Sequence, residues 1–305
     1  MANESPIQTI AMIGVGRMGG PMALHLLRAG FTVRGYDTSA VQLAALAEQG
    51  ITAAQSIAQA VAGADLIITM LPSNEALEHV SSATGGLLDL IQPGQILIDM
   101  STSKLATSQQ LAQQIRQRGA NMLDAPVSGG EQGARNATLS IMVGGDAAIF
   151  EHCQRALAAM GSSSTHVGGN GMGLIAKYVN QLLMEASFCA IAEAFALAAQ
   201  AGADLESIYQ AVRNGLGGSR VLDQMLPQLL SGDLGSGREL TLHHKDLSYL
   251  LASGEALGVW MPLAQQARQI FDQAIADGHG SESAVAVARV YEQRIGVRLV
   301  KHNSF

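Results

Sequence analysis

The chain has 305 residues, 48% of them hydrophobic and 14% charged, with 18 basic against 25 acidic residues and a formal charge of −7. That length and apolar content predict a large core shared between two domains, or held in one large one, and exclude a disordered chain. The acidic balance, with no block of Lys or Arg, argues against nucleic acid or an anionic membrane as the main partner, so any anion site must be local.

In chain order, the segment Met1 to Pro6 has no basic stretch followed by an apolar one, and no export signal is expected. Short apolar runs at 9–13, 32–36, 66–71, 96–100, 121–125 and 139–143 alternate with helical patterns such as 20–28 and 103–118, the signature of a mostly parallel sheet. Gly30 and Gly119 stop those two helices by taking up the left-handed conformation beyond the last turn. Past Gly168-Gly169-Asn170-Gly171 the two-residue period disappears and the spacing becomes helical throughout. A helix opened by Gly171-Met172-Gly173 is predicted over about 174–201, roughly 40 Å at 1.5 Å per residue. Shorter ones follow near 205–214, 219–231, 240–257, 262–277 and 281–295. The expected fold is α/β: a doubly wound, Rossmann-type sheet domain over residues 1–168, then an all-α domain over residues 169–305 that serves substrate binding and oligomerisation.

The most apolar long stretch, 186–201, is interrupted by Glu193 and Gln200; it reads as a buried helix that falls short of a membrane span. Cys153 and Cys189 form neither a disulfide framework nor a metal site, so they read as small core residues in a reducing cytoplasm. Trp260 and the 13 methionines read as core or interface filler. Adjacent His243 and His244 point about 100° apart on a helix and lack a third ligand at metal spacing, so no metal is expected. The long apolar helix and the all-α domain suggest a homo-oligomer, dimer or tetramer.

Three groups of residues carry the chemistry. Gly14-Val-Gly16-Arg17-Met18-Gly19 directly follows an apolar strand and opens a helix, where glycine lets backbone N–H groups and a helix N-terminus meet a pyrophosphate. Asp37 closes the next strand roughly 20 residues on, the spacing of an acid that accepts the ribose hydroxyls and repels a 2′-phosphate, so NAD is expected over NADP. Arg17 and Arg34 lie close enough in sequence to keep NADP open. Leu71-Pro72 and Ser101-Thr102 stand at strand carboxyl ends, where open sheets bind ligands; taken alone, each reads first as a strand terminus or helix cap. In the second group, Asp124-Ala-Pro-Val-Ser128-Gly129-Gly130 offers backbone N–H groups and a hydroxyl to an anion. The third, Lys177-Tyr-Val-Asn180, sets an amine and an amide on one helical face. Together the last two suit a small hydroxy acid held by its carboxylate. Arg213 and Arg220, flanking residues 215–219, read either as helix-end cations or as partners for a second substrate carboxylate.

With Gly171-Met-Gly-Leu-Ile-Ala-Lys177 and Lys245-Asp246-Leu247 added, these segments resemble the four signature regions of the β-hydroxyacid dehydrogenases along nearly the whole chain. His25 departs from that likeness, since the family usually places Asn on the first helix; so does Leu174-Ile175, where many members have smaller or polar residues. The resemblance implies Lys177 as the catalytic residue, Ser128, Gly129 and Gly130 as carboxylate binders, and Asn180 as substrate anchor. By the same carry-over, Lys245 lies near the nicotinamide and Thr102 at its ribose. The reaction expected is NAD-dependent interconversion of tartronate semialdehyde and glycerate. Another short hydroxy acid, such as 3-hydroxyisobutyrate or threonate, and a catalytically silent dinucleotide-binding protein are the alternatives.

Overall fold

The computed structural model describes residues 6–235 and 237–300. The chain divides into two compact units, Met1–Lys177 and Tyr178–Phe305.

The first unit begins β1 (Thr9–Ile13), α1 (Gly19–Arg28), β2 (Thr32–Tyr36), α2 (Ala40–Ala47), β3 (Thr52–Ala53), α3 (Ile57–Val61), β4 (Leu66–Thr69). It continues α4 (Asn74–Ser82), α5 (Leu87–Leu90), β5 (Ile96–Asp99), α6 (Leu105–Gln117), β6 (Asn121–Asp124), β7 (Val127–Ser128). It closes with α7 (Gly130–Arg135), β8 (Leu139–Gly144), α8 (Ala147–Met160), β9 (Gly161–Gly168) and the start of α9 (Met172–Gln200). The sheet runs β3-β2-β1-β4-β5-β6-β8-β7, with β9 on β8. Pairs from β3 to β6 are parallel, while β6 and β7 each meet β8 antiparallel.

Alternation along the central strands explains the two-faced burial. Ile10, Met12, Leu66, Ile68, Ile96 and Ile98 point into one core with Met22, Leu26 and Leu157 from the helices. Ala11, Ile13, Ile67 and Leu97 point into the opposite one with Leu77, Leu111 and Ile115. Strands covered on both faces can be apolar at every position, as parallel crossovers require. Gly30 and Gly119 have φ of +87° and +74° just past α1 and α6.

The polar β9, Gly-Ser-Ser-Ser-Thr-His-Val-Gly, had no apolar alternation to reveal it; pairing with β8 makes it a strand.

The second unit holds the remainder of α9 and then α10 (Leu205–Val212), α11 (Arg220–Ser231), α12 (Leu240–Ala256), α13 (Pro262–Ala276) and α14 (Ala288–Ile295). A single core joins them, with Phe195, Leu226, Leu247 and Phe271 among its members. By length and composition alone α9 is long and apolar enough to cross a membrane, a test that core helices of soluble proteins also pass, and 28% of its most apolar window is buried. Val179, Leu183 and Leu197 stand exposed on it, whereas Cys189, Ala192, Phe195 and Ala196 pack inward. Trp260 also departs from the core reading, being 84% exposed between α12 and α13, where Pro262 at the first turn of α13 fixes the chain's direction. Cys153 and Cys189 are buried, and burial pushes both thiols up to about 12.

Candidate active site

The glycine loop between β1 and α1 is shaped by contacts that leave no room for side chains. A Cβ on Gly14, whose φ is +90°, would overlap the Met70 carbonyl oxygen, and one on Gly19 would overlap that of Gly14. Gly16 is different: a Cβ there would meet only Gln42 Oε1, at 3.5 Å, so its backbone is open to an approaching group. Tight packing behind and open backbone in front is the cradle a pyrophosphate needs. Arg17 reaches across to Glu131 at 3.9 Å, on the exposed rim, and Met18 precedes the first helical residue without a capping side chain.

Asp37 sits where β2 ends, and its carboxylate already has work: Oδ2 accepts from Val15 N at 2.9 Å and Oδ1 from Ser39 N at 2.8 Å. It therefore ties the glycine loop to the second strand, while each oxygen keeps a lone pair for a ribose hydroxyl. Arg34 donates to the Ala62 carbonyl oxygen.

At the ends of β4 and β5, Leu71 N donates to Ser101 Oγ at 2.9 Å, which joins the two loops singled out in the sequence. Leu71 also lies against Gly14, and half-buried Thr102 stands between buried Ser101 and Ser103. Beneath them is Asp99, which accepts from Thr69 Oγ1 at 2.8 Å, Ser101 N at 3.1 Å and Ser103 Oγ at 3.5 Å. Burial raises its carboxyl above the usual carboxylate range, opposed by those hydrogen bonds.

Asp124 is in register beside Asp99, at the end of β6. It accepts from Gly171 N at 2.7 Å and Leu174 N at 2.9 Å, at the head of α9. Burial pushes its carboxyl up to about 6; the two N–H groups oppose the rise and the charge of Asp99 adds to it. Sequence reasoning missed both acids as site-builders. The signal was present in Gly171-x-Gly173 and in an acid closing a buried strand.

Ser128 ends β7, half-buried and paired with Ser140, and leads into exposed Gly129 and Gly130, whose φ values of +130° and +61° suit glycine. His25, the departure on α1, lies within 2.9 Å of the Arg135 carbonyl oxygen and so fastens α1 to the end of α7.

Lys177 occupies the second turn of α9 and is 6% exposed. Asn180 follows one turn later on the same helix, half-buried, donating to Gln181 Oε1 at 2.9 Å. In the second unit Gln181 donates to Asp246 Oδ2 at 2.7 Å, as does Arg238 at 2.7 Å, and Lys245 Nζ stands 3.5 Å from Asp246 Oδ1. Glu185 holds His243 Nδ1 at 2.9 Å and His244 turns to Asp272, so the two histidines serve different carboxylates. Arg213 reaches Asp223 at 3.3 Å and covers the Tyr209 ring.

The family described as the NAD binding domain of 6-phosphogluconate dehydrogenase matches residues 9–168, and that described as the NAD-binding region of NADP-dependent 3-hydroxyisobutyrate dehydrogenase matches 171–291. The chain is 36% identical to 2-(hydroxymethyl)glutarate dehydrogenase of Eubacterium barkeri, over 94% of this chain and 96% of that one. It is 34% identical to 2-hydroxy-3-oxopropionate reductase of Escherichia coli, over 93% and 97%. A solved structure of Mycobacterium tuberculosis 3-hydroxyisobutyrate dehydrogenase with L-serine matches at a TM-score of 0.87 and 32% identity, covering 93% of this chain and 99% of that one. With a glycine cradle at the head of a doubly wound sheet and relatives matched along nearly their whole length, the chain belongs to the β-hydroxyacid dehydrogenase family of NAD(P)-dependent oxidoreductases.

Proposed function

We propose that this protein reduces tartronate semialdehyde to glycerate, with NADH preferred over NADPH and Lys177 as the acid. The observation that carries the reading is the near-complete burial of Lys177 on the helix whose head is fastened to the Asp124 strand. An amine held in that way is a positioned proton donor rather than a solvated surface charge.

When bound, NADH supplies the hydride. As charge gathers on the substrate's carbonyl oxygen, the Lys177 ammonium stabilises it and donates the proton that completes the hydroxyl. In the opposite direction neutral Lys177 takes the hydroxyl proton. Ser128 Oγ and the N–H groups of Gly129 and Gly130 hold the substrate carboxylate, and the Asn180 amide orients the substrate without competing for the proton. Gly14, Gly16, Arg17, Met18 and Gly19 receive the pyrophosphate, Asp37 the adenosine ribose, Leu71, Pro72 and Thr102 the nicotinamide half, and the family resemblance assigns Lys245 to the ring. The Asp37 carboxylate supports the NADH preference by repelling a 2′-phosphate.

Likeness to 2-hydroxy-3-oxopropionate reductase supports tartronate semialdehyde, while 2-(hydroxymethyl)glutarate dehydrogenase, at 36% identity against 34%, defines the strongest competitor. A panel of tartronate semialdehyde, 3-hydroxyisobutyrate, threonate, L-serine and 2-(hydroxymethyl)glutarate, followed by NADH absorbance, decides between them. The highest kcat/KM is expected with tartronate semialdehyde, and indifference to it defeats the substrate assignment.

A further inference from the structure

We infer that Asp124 is a positioning residue for the proton donor: its buried carboxylate fastens the first turn of α9 to the end of β6 and thereby sets where Lys177 stands. The inference rests on the reading of Lys177 as the acid.

Four observations carry it. Asp124 is 1% exposed and spends one oxygen on each of two backbone donors, Gly171 N at 2.7 Å and Leu174 N at 2.9 Å. Leu174 precedes Lys177 by three residues, just under one helical turn, so a shift of the anchored turn is passed to the amine through rigid helix. The packing is equally strict on the other side. A Cβ on Gly144 would stand 2.6 Å from Asp124 Oδ1 and 2.6 Å from Gly173 N, and one on Gly173 would stand 2.8 Å from Asp124 Oδ2 and overlap the Asp124 carbonyl oxygen. Finally, Ser128 follows Asp124 by four positions, so the same strand end that holds the helix leads into the loop assigned to the substrate carboxylate.

A carboxylate receives two N–H donors far better than the neutral acid does, because the negative charge lies at the positive end of the helix. Since the Asp124 carboxyl titrates at about 6, the anchor is complete above that pH and weakens as pH falls through it. The charged and titratable groups on the surrounding elements include Asp99 in register on β5, Lys177 on α9, Arg116 on α6 through its hydrogen bond to Asn170 Oδ1, His166 of β9 bonded to the Gly145 carbonyl oxygen, and Glu151, His152 and Arg155 on α8.

The test compares wild type, Asp124→Asn and Lys177→Ala in three readouts: kcat from about pH 5 to about 8, NADH affinity by fluorescence, and hydrogen exchange of the amides of residues 171–177. The amide of Asn can accept only through its oxygen, so one of the two donors loses its partner. Asp124→Asn is expected to lower kcat roughly tenfold or more at pH 7.5, since small misplacements of a catalytic group are costly. NADH affinity should stay unchanged, exchange in the first turn of α9 should accelerate, and the fall in kcat below about pH 6 expected of wild type should disappear. Wild-type kcat and an unaltered acid limb in Asp124→Asn overturn the inference. If that variant does not fold, wild type decides through the amides of Gly171 and Leu174: loss of their exchange protection as pH falls through about 6 supports the anchor, and protection unchanged to about pH 5 refutes it. Full turnover in Lys177→Ala would instead defeat the underlying assignment of the acid, which keeps the two failures apart.

Discussion

The two units bury carboxylates in opposite ways. In the sheet unit, Asp99 and Asp124 are met by neutral donors: backbone N–H groups of Ser101, Gly171 and Leu174, and hydroxyls of Thr69 and Ser103. In the helical unit, Glu185 faces His243, Asp246 faces Arg238, Lys245 and Gln181, and Glu292 faces Arg289 and Arg298 through one oxygen while the other accepts from Leu299 N. The difference follows from where free N–H groups exist. Strand carboxyl ends and the helix heads beside them leave backbone donors unspent, whereas helix interiors consume theirs internally, so an acid on a helix flank needs another side chain. Ligand sites of open sheets occur at those same strand ends, where dipoles are fixed by the fold and cost no rearrangement when charge develops.

The sharpest way to break this contrast is to crowd the backbone-held acid. Gly173→Ala drives a methyl against the carbonyl oxygens of Asp124 and Met142, backbone atoms that cannot step aside. Destabilisation of about 3 kcal/mol or outright failure to fold is expected, read by thermal melting. A Tm equal to wild type would mean that the head of α9 is looser than its contacts imply. A smaller effect is expected from the helical unit, where Glu185→Ala leaves buried His243 Nδ1 without its carboxylate. The loss should be about 1–3 kcal/mol in denaturant unfolding, and no change in midpoint would show that water replaces the carboxylate there.

Much of the sheet unit was legible because burial on both faces makes its strands apolar at every position. The runs at 9–13 and 32–36 coincide with β1 and β2, and the α12 and α13 patterns end within a residue of the observed helices. β7 and β9 were hidden, one by its length of two residues and the other by its serines, since neighbours rather than composition make them strands. In the site, glycines announced themselves because only glycine tolerates the backbone positions and close approaches found at Gly14 and Gly129. Asp37 was legible as an acid closing the second strand, yet its hold on Val15 N was not, because a hydrogen bond across two loops leaves no trace in spacing. Asp124 was visible as part of a motif and read as the start of a loop. Its part as an anchor depends on Gly171 and Leu174, roughly 50 residues away in sequence, brought together only by the fold.

The proposed reaction depends on Lys177 as the proton donor, and the most direct measurement is single-turnover hydride transfer in Lys177→Ala beside its NADH affinity. Turnover lower by roughly 10² or more with NADH binding intact is the expected result, the loss typical of a positioned acid. Equal rates in the two proteins would contradict it.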